Sequence, residues 1–511
     1  MQLRQLNIPL AAGLGLALAA APALAQKSKN TLRIAINDPF SKVDSYHAPH
    51  EEVGYFARNM YGKLILFNEH KGEFVPELAK SWKRINDTTL EFNLRDDVIF
   101  HSGNKFTAED VKYTVGYISD PKVKLRFKAR YNWVKRVEIV TPYKLRIITK
   151  KPKATDLSTI AYRFHMFDSK IHSTLKHKAD YGTVSASSTG PFKLVSINKN
   201  TGVVVERFDK FFGSPHRRAP IARIHGVPMP DKQTQLANLF TGGVDVLRSV
   251  PKETIDGLRN NPNVVITPTS SKRIMYLWFD GLGRSGKNFF KDVRVRKAAI
   301  MAIDRQGLMK FAVAGGESAE LPHSICFERT VACAPTSSPY KYNPAMAKKL
   351  LAEAGYPKGF DVTLSVYLPI KDIGEVILGD LRKVGIRAEL EPLPLFNYVR
   401  KRGKGKLTMF NGVYPTAAQP DTENLLNFFF GSNRDYWKDP LIHKLRKAGT
   451  TVFDLKKRTQ TYVAALNRIN EMAYVFPVSE LPNVYVHTKE VQIKPNLISA
   501  GETRLGDFFW K

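Results

Sequence analysis

The sequence predicts an α/β protein of more than one domain. Strand-like runs alternate with helical stretches from end to end. The 511 residues exceed what one hydrophobic core organises. Neither a fixed-period repeat nor a low-complexity tract interrupts a composition that is 43% hydrophobic and 24% charged, which is ordinary for a globular protein and argues against a solenoid.

The elements follow in order. Thr31–Ile36 is a β-type run, and a loop from Asn37 to His50 leads to a helix over Glu51–Tyr61. Thr88–Leu94 alternates apolar and polar residues as a half-buried strand does. Thr107-Ala-Glu-Asp110 resembles a capping box and opens a helix to about Tyr117. Arg136–Thr141 and Lys144–Ile148 form a hairpin around Pro142-Tyr143. Strands follow at Phe192–Ile197 and Gly202–Phe208, a helix at Asp231–Gly242, and strands at Asp245–Leu247, Val264–Thr267 and Ile274–Phe279. Asp292 and Asp304 cap successive helices; Asn343-Pro344 starts another that stops at Gly355. Asp361–Val366, a helix around Glu375–Val384 and Ala388–Glu391 make a β-α-β unit. Leu407–Val413 and a long amphipathic helix at Leu455–Met472 complete the series.

Met1 to Ala25 reads as a secretory signal peptide. Arg4 gives a charged start, Leu10 to Ala21 is uncharged and rich in Leu, Ala and Gly, and Ala23-Leu24-Ala25 offers small residues to a signal peptidase. The run is shorter than the roughly 20 residues that span a bilayer. Cleavage is expected after Ala25, leaving Gln26 first in a periplasmic protein without a lipid anchor.

The formal charge is +31. Such a balance fits nucleic acid, an anionic membrane or an anionic ligand, but an exported protein has little call for nucleic acid, and a basic solvated surface is the simpler reading. The densest basic segments are Lys122–Arg130 and Arg400–Lys406. Cys326 and Cys333 are the only cysteines. Their close spacing in an oxidising compartment predicts a structural disulfide, while zinc or redox CxxC spacing is absent.

Two segments imitate catalytic or cofactor sites. Gly281-Leu-Gly283-Arg-Ser-Gly286-Lys287-Asn288 follows a strand and approaches a phosphate-binding loop. Asn288 stands where Ser or Thr must hold magnesium, and no helix start opens at Gly286 to supply its amides. His47 and His50 beside Glu51 lack the HExxH order of a zinc protease. No catalytic residue, metal site or cofactor is expected.

Several segments form an ordered set. They are Pro76-Glu-Leu-Ala-Lys-Ser-Trp82, Leu90-Glu-Phe-Asn-Leu-Arg95, Phe100-His-Ser-Gly103, Phe106-Thr-Ala-Glu-Asp-Val111 and Thr189-Gly-Pro-Phe192. Val205–Gly213, Asp292–Ala298 with Ala302-Ile-Asp-Arg305, and Leu351–Phe360 continue it. This set resembles the family 5 extracellular solute-binding proteins, which include oligopeptide, dipeptide, nickel and opine receptors. The resemblance implies a two-lobed type II periplasmic-binding-protein fold with an additional inserted domain. The first lobe is expected at 27–65, 186–275 and 482–511, the inserted domain at 66–185, and the second lobe at 276–481. Crossings between lobes are expected near Ile274–Phe279 and Tyr474–Glu480.

The same resemblance implies a monomer that captures a small-molecule solute in the inter-lobe cleft and delivers it to an inner-membrane ABC permease with its ATPase subunits, with no cofactor and no nucleic acid. Ligand contacts are expected from Asp44, Ser45, Tyr46 and His47, from Tyr276 and Trp278, and from Asn411, Gly412, Tyr414 and Thr416. Aligned on Pro420-Asp421, Thr416 falls where peptide receptors of this family hold the ligand ammonium with an Asp, and Val413 replaces a Trp. Asp421 is the carboxylate left to take over that role. An opine-like conjugate or a sugar is therefore expected in preference to a free-amine peptide. The competing readings are an exported polyanion- or glycan-binding protein without a transport role, and a secreted enzyme.

Overall fold

Ile274–Phe279 (IMYLWF) is buried at all six positions. A run with no polar face needs cover on both sides, and it takes the interior of a five-stranded sheet. The order there is Ile386–Leu393, Phe360–Tyr367, Met409–Tyr414, Ile274–Phe279, Val475–Glu480. Phe360–Tyr367 pairs parallel with Ile386–Leu393 through the expected helical crossover, Lys371–Lys383.

The computed structural model describes residues 27, 29–47, 51–183, 186–336, 340–414, 419, 421–496 and 503–511. The expected leader and its cleavage site lie outside them. A seven-stranded mixed sheet runs Val264–Thr269, Asn483–Thr488, Val246–Arg248, Thr31–Ile36, Arg223–Pro228, Gly202–Arg207, Phe192–Asn198. An antiparallel four-stranded sheet runs Ala79–Asn86, Thr89–Leu94, Lys144–Thr149, Val134–Thr141. The result is a two-lobed α/β fold of the type II periplasmic-binding-protein kind with an additional domain.

The apolar interior follows this division. One core gathers the five-stranded sheet with Leu308, Ile377, Leu426 and Leu466. A second joins one side of the seven-stranded sheet to the four-stranded sheet through Phe56, Phe92, Phe100 and Val111. A smaller third lies around Leu239, Val244 and Leu258. Local end signals act as the sequence predicts. Asp292 accepts Arg294 N–H at 2.8 Å, Asp304 accepts Gly307 N–H at 3.0 Å, and Asn343 accepts Met346 N–H at 2.9 Å. Asp110 accepts Thr107 N–H at 2.9 Å. Cys326 and Cys333 form the predicted disulfide. Among the described residues no helix is long and apolar enough to cross a membrane.

The chain passes between the two large sheets at residues 270–273 and again at 481–482. Glu480, just before the second passage, accepts Ser270 Oγ–H at 2.6 Å and Ser271 N–H at 2.7 Å from the first. Its other oxygen accepts Glu320 N–H at 3.1 Å. Lys272 turns inward and pairs with Glu69 at 2.7 Å. The two strands that lie beside these passages are paired in one sheet.

Candidate ligand-binding site

The 3-10 turn Lys128–Arg130 and the helix Asp156–Arg163 stand on the second core; the helix fixes itself there by burying Ile160 and Ala161. Across from them, the strand Met409–Tyr414 and the turn Ser432–Arg434 belong to the lobe of the five-stranded sheet. The two sides meet at Tyr414. Burial pushes its phenol well above the usual range. Arg163 opposes that shift, Asp421 adds to it, and Arg130 and Arg434 oppose it. Guanidinium groups from both lobes therefore lie within electrostatic reach of one phenol.

Behind Arg163 the positive charge continues. Burial first, and then the neighbouring Arg130, bring the Arg163 guanidinium down to about 10. Burial first, then Lys63, Arg163 and Arg58, hold the His165 imidazole well below its ordinary value. Both His165 ring nitrogens are buried without a hydrogen-bond partner among the described residues. Lys63 is lowered by burial and by Arg504, Arg217 and Arg58. These cations weaken one another's hold on a proton, as like charges brought together out of water must. On the opposite lobe Arg434 is lowered by burial and by Arg402, and both guanidiniums lie over the Phe428 ring, at 5.6 and 4.6 Å.

The sequence-predicted contacts distribute unevenly. Asp44 is consumed by its own turn: Oδ1 accepts the N–H groups of Tyr46 and His47 at 2.7 and 2.9 Å. His47 sits between Asp44 (2.7 Å) and the Tyr117 hydroxyl (3.0 Å). No group of metal-ligating side chains surrounds it among the described residues. Tyr46 is 2% exposed, and its hydroxyl accepts His165 N–H at 2.8 Å and donates to His165 O at 2.9 Å. Ser45 keeps a buried Oγ without a hydrogen-bond partner among the described residues.

Trp278, expected as a ligand contact near the crossing, lies inside the core of the second lobe. It is fully buried, ringed by Phe410, Phe429 and Tyr436, because the strand that carries it is central and covered on both faces. Tyr276 and Asn411 are equally buried: Asn411 Nδ2 donates to Tyr276 O at 2.8 Å, and Arg402 donates to the Tyr276 hydroxyl at 3.1 Å. Gly412 makes room for two phenols, since a Cβ there would stand 2.4 Å from Tyr398 Oη and 2.6 Å from Tyr276 Oη. Tyr414 is buried with its ring against Phe428 at 5.1 Å and lies within electrostatic range of the arginines. Thr416 lies outside the described residues.

Asp421 is not available to a ligand ammonium. It is fully buried and caps the helix Thr422–Phe430 by accepting Glu423 N–H at 3.0 Å. Its oxygens take the Arg458 guanidinium at 2.5 and 3.1 Å and Ser158 Oγ–H at 2.7 Å. Sequence reasoning did not single out Arg163 or Arg434. Arg130 entered only as the end of a basic segment. They are far apart in the chain, and only the tertiary fold assembles them.

Residues 73–437 match the family described as bacterial extracellular solute-binding proteins, family 5 middle. The chain is 29% identical over 358 residues to the glutathione-binding protein GsiB of Salmonella paratyphi A. That match covers 69% of this chain and 66% of GsiB, just under two thirds of that protein's length. It is 26% identical over 421 residues to heme-binding protein A of Haemophilus influenzae, covering 76% of this chain and 73% of that one. The structure of HbpA2 from Haemophilus parasuis shares the fold with a TM-score of 0.78 at 21% identity, covering 94% of this chain and all of that one. These relatives are solute-binding proteins rather than enzymes. The family match takes in most of the chain, and the chain belongs to the family 5 bacterial extracellular solute-binding proteins.

Proposed function

We propose that this protein is the periplasmic solute-binding component of an ABC importer. A small anionic solute enters between the lobes, the lobes close on it, and the closed form delivers it to an inner-membrane permease driven by ATPase subunits. Closure requires contacts that exist only when the cleft is shut. What supports the reading is that Arg130 and Arg163 on one side and Arg434 on the other lie within electrostatic range of the buried Tyr414. Buried like charges cost free energy, and an anion placed among them returns it.

The proposed lobes are 27–65 with 186–275 and 482–511, and 276–481, with 66–185 inserted. In support, the seven-stranded, five-stranded and four-stranded sheets draw their strands from these three portions respectively, apart from Ile274 and Met275 at the start of one strand. The protein acts as a monomer, without a cofactor and without nucleic acid.

The solute is a carboxylate-bearing conjugate, opine-like in chemistry, in preference to a free-amine peptide or a neutral sugar. The occupation of Asp421 supports this, because an ammonium buried without a carboxylate partner is costly. The relatives whose names record glutathione and heme fit the anionic part of this reading, since both molecules carry carboxylates; glutathione also keeps a free amine and so does not bear on the preference against free-amine peptides. Calorimetry on solute-stripped protein tests the reading. Opines are titrated against neutral di- to pentapeptides and their N-acetylated forms, and glutathione, which carries both carboxylates and a free amine, is run beside its own N-acetylated form. Binding by the acidic panel supports it. Tight binding of free-amine peptides, lost on acetylation, overturns it.

A further inference from the structure

We propose that Ser158 and Thr159 form a closing latch with Asp421 and Gln419 that sets the open–closed balance before solute arrives. The inference rests on the reading of the molecule as a two-lobed receptor.

The helix Asp156–Arg163 is anchored in the second core by Ile160 and Ala161. At its base, Arg84 grips the buried Asp156 carboxylate at 2.8 and 2.7 Å. From this anchored position the helix reaches the other lobe. Ser158 Oγ donates to Asp421 Oδ2 at 2.7 Å; Thr159 Oγ1, whose proton goes to Thr155 O at 2.7 Å, lies 3.3 Å from Gln419 Oε1, a weaker polar contact. Just before the helix, Ala154 N–H donates to Thr450 O at 2.8 Å, and the Arg84 guanidinium lies 3.8 Å from the centre of the Phe453 ring. Four contacts thus join the inserted domain, through Arg84 and the segment 154–159, to separate segments of the second lobe.

Asp421 suits the receiving role. Arg458, itself 2% exposed, holds its carboxylate from the second-lobe side, and the capped helix fixes its backbone. Both of those bonds lie within one lobe and survive opening. The Ser158 bond crosses between lobes and does not. A carboxylate oriented in advance loses little freedom when the hydroxyl arrives, so the bond favours the closed form. The same helix ends at Arg163. Five residues at about 1.5 Å each place the latch and the cationic cluster roughly 8 Å apart along one rigid rod. A solute that draws Arg163 toward the second lobe seats Ser158 on Asp421 in the same movement.

The test is made on solute-stripped protein, so its outcome does not depend on what the solute is. Spin labels at Asn200→Cys and Lys358→Cys, both exposed and one in each lobe, report inter-lobe distance by pulsed electron resonance. Replacing Asp421 disturbs a helix cap and a buried ion pair, so the perturbation is placed on the crossing groups. Ser158→Ala is expected to lower the closed-to-open ratio about tenfold, and Gln419→Ala to lower it in the same direction. A shift toward longer distances in either variant supports the latch. Unchanged distributions in both overturn it.

Discussion

Glu480 and Ser271 tie the two inter-lobe passages together: the carboxylate on one accepts the backbone N–H of the other at 2.7 Å, and both residues are buried. The closure proposed above bends both passages, and this bond couples them.

Glu480→Ala leaves the buried Ser271 N–H and the half-buried Glu320 N–H without this acceptor. Stability is expected to fall by about 3 kcal/mol. Glu480→Gln, which keeps an acceptor but loses the charge, is expected to fall less. Calorimetric melting of the two variants checks the order, and equal losses contradict it.

The Cys326–Cys333 bridge closes a short loop. Thiol titration of the denatured, unreduced protein is expected to find no free thiol. Replacing both cysteines by serine is expected to cost about 2 kcal/mol of stability while leaving solute affinity unchanged.

Acid is expected to destabilise the fold through His101. Burial holds its imidazole down to about 4, with Arg217 and Lys193 contributing and the Gly190 bond opposing. The neutral tautomer is required: Nε2–H donates to Gly190 O at 2.9 Å, and Nδ1 accepts Ser188 N–H at 3.3 Å. The unfolded chain takes up this proton near pH 6.5, whereas the folded protein resists until about 4. Stability is therefore full above 6.5 and declines as pH falls through that window, by at most about 3 kcal/mol. His101→Gln is expected to flatten the dependence of melting temperature on pH, and an unchanged slope rejects the assignment.

The ends of helices were legible because a cap is a local event. Asp292, Asp304 and Asn343 act within three residues of themselves. Ala79–Asn86 went unread as a strand because it is an edge strand, exposed at most positions, so its Lys and Arg residues mask any alternation. Trp278 was misplaced for the opposite reason. A tryptophan near an expected crossing resembles a ligand contact, yet six consecutive apolar residues are the signature of a central strand. The arginine cluster has no local signal. Arg130, Arg163 and Arg434 come together only because a helix of one lobe lies against a strand of the other.

Arg163→Ala and Arg434→Ala each remove one positive group from opposite sides of Tyr414. Each is expected to weaken binding of the native solute about tenfold or more, since charged hydrogen-bond partners contribute about 1.5–3 kcal/mol. Raising salt is expected to weaken it far less than it would a surface-bound polyanion, because a closed cleft shields its contacts from screening. Titrations at low and high salt check both statements.

The most direct measurement is mass spectrometry of whatever small molecule leaves the protein when it is purified from its own periplasm and then denatured. The expected molecule bears at least one carboxylate or comparable acidic group, is present in wild type and is depleted from Arg163→Ala. A neutral sugar, a free-amine peptide without excess negative charge, or a polymer in place of a small solute would contradict it.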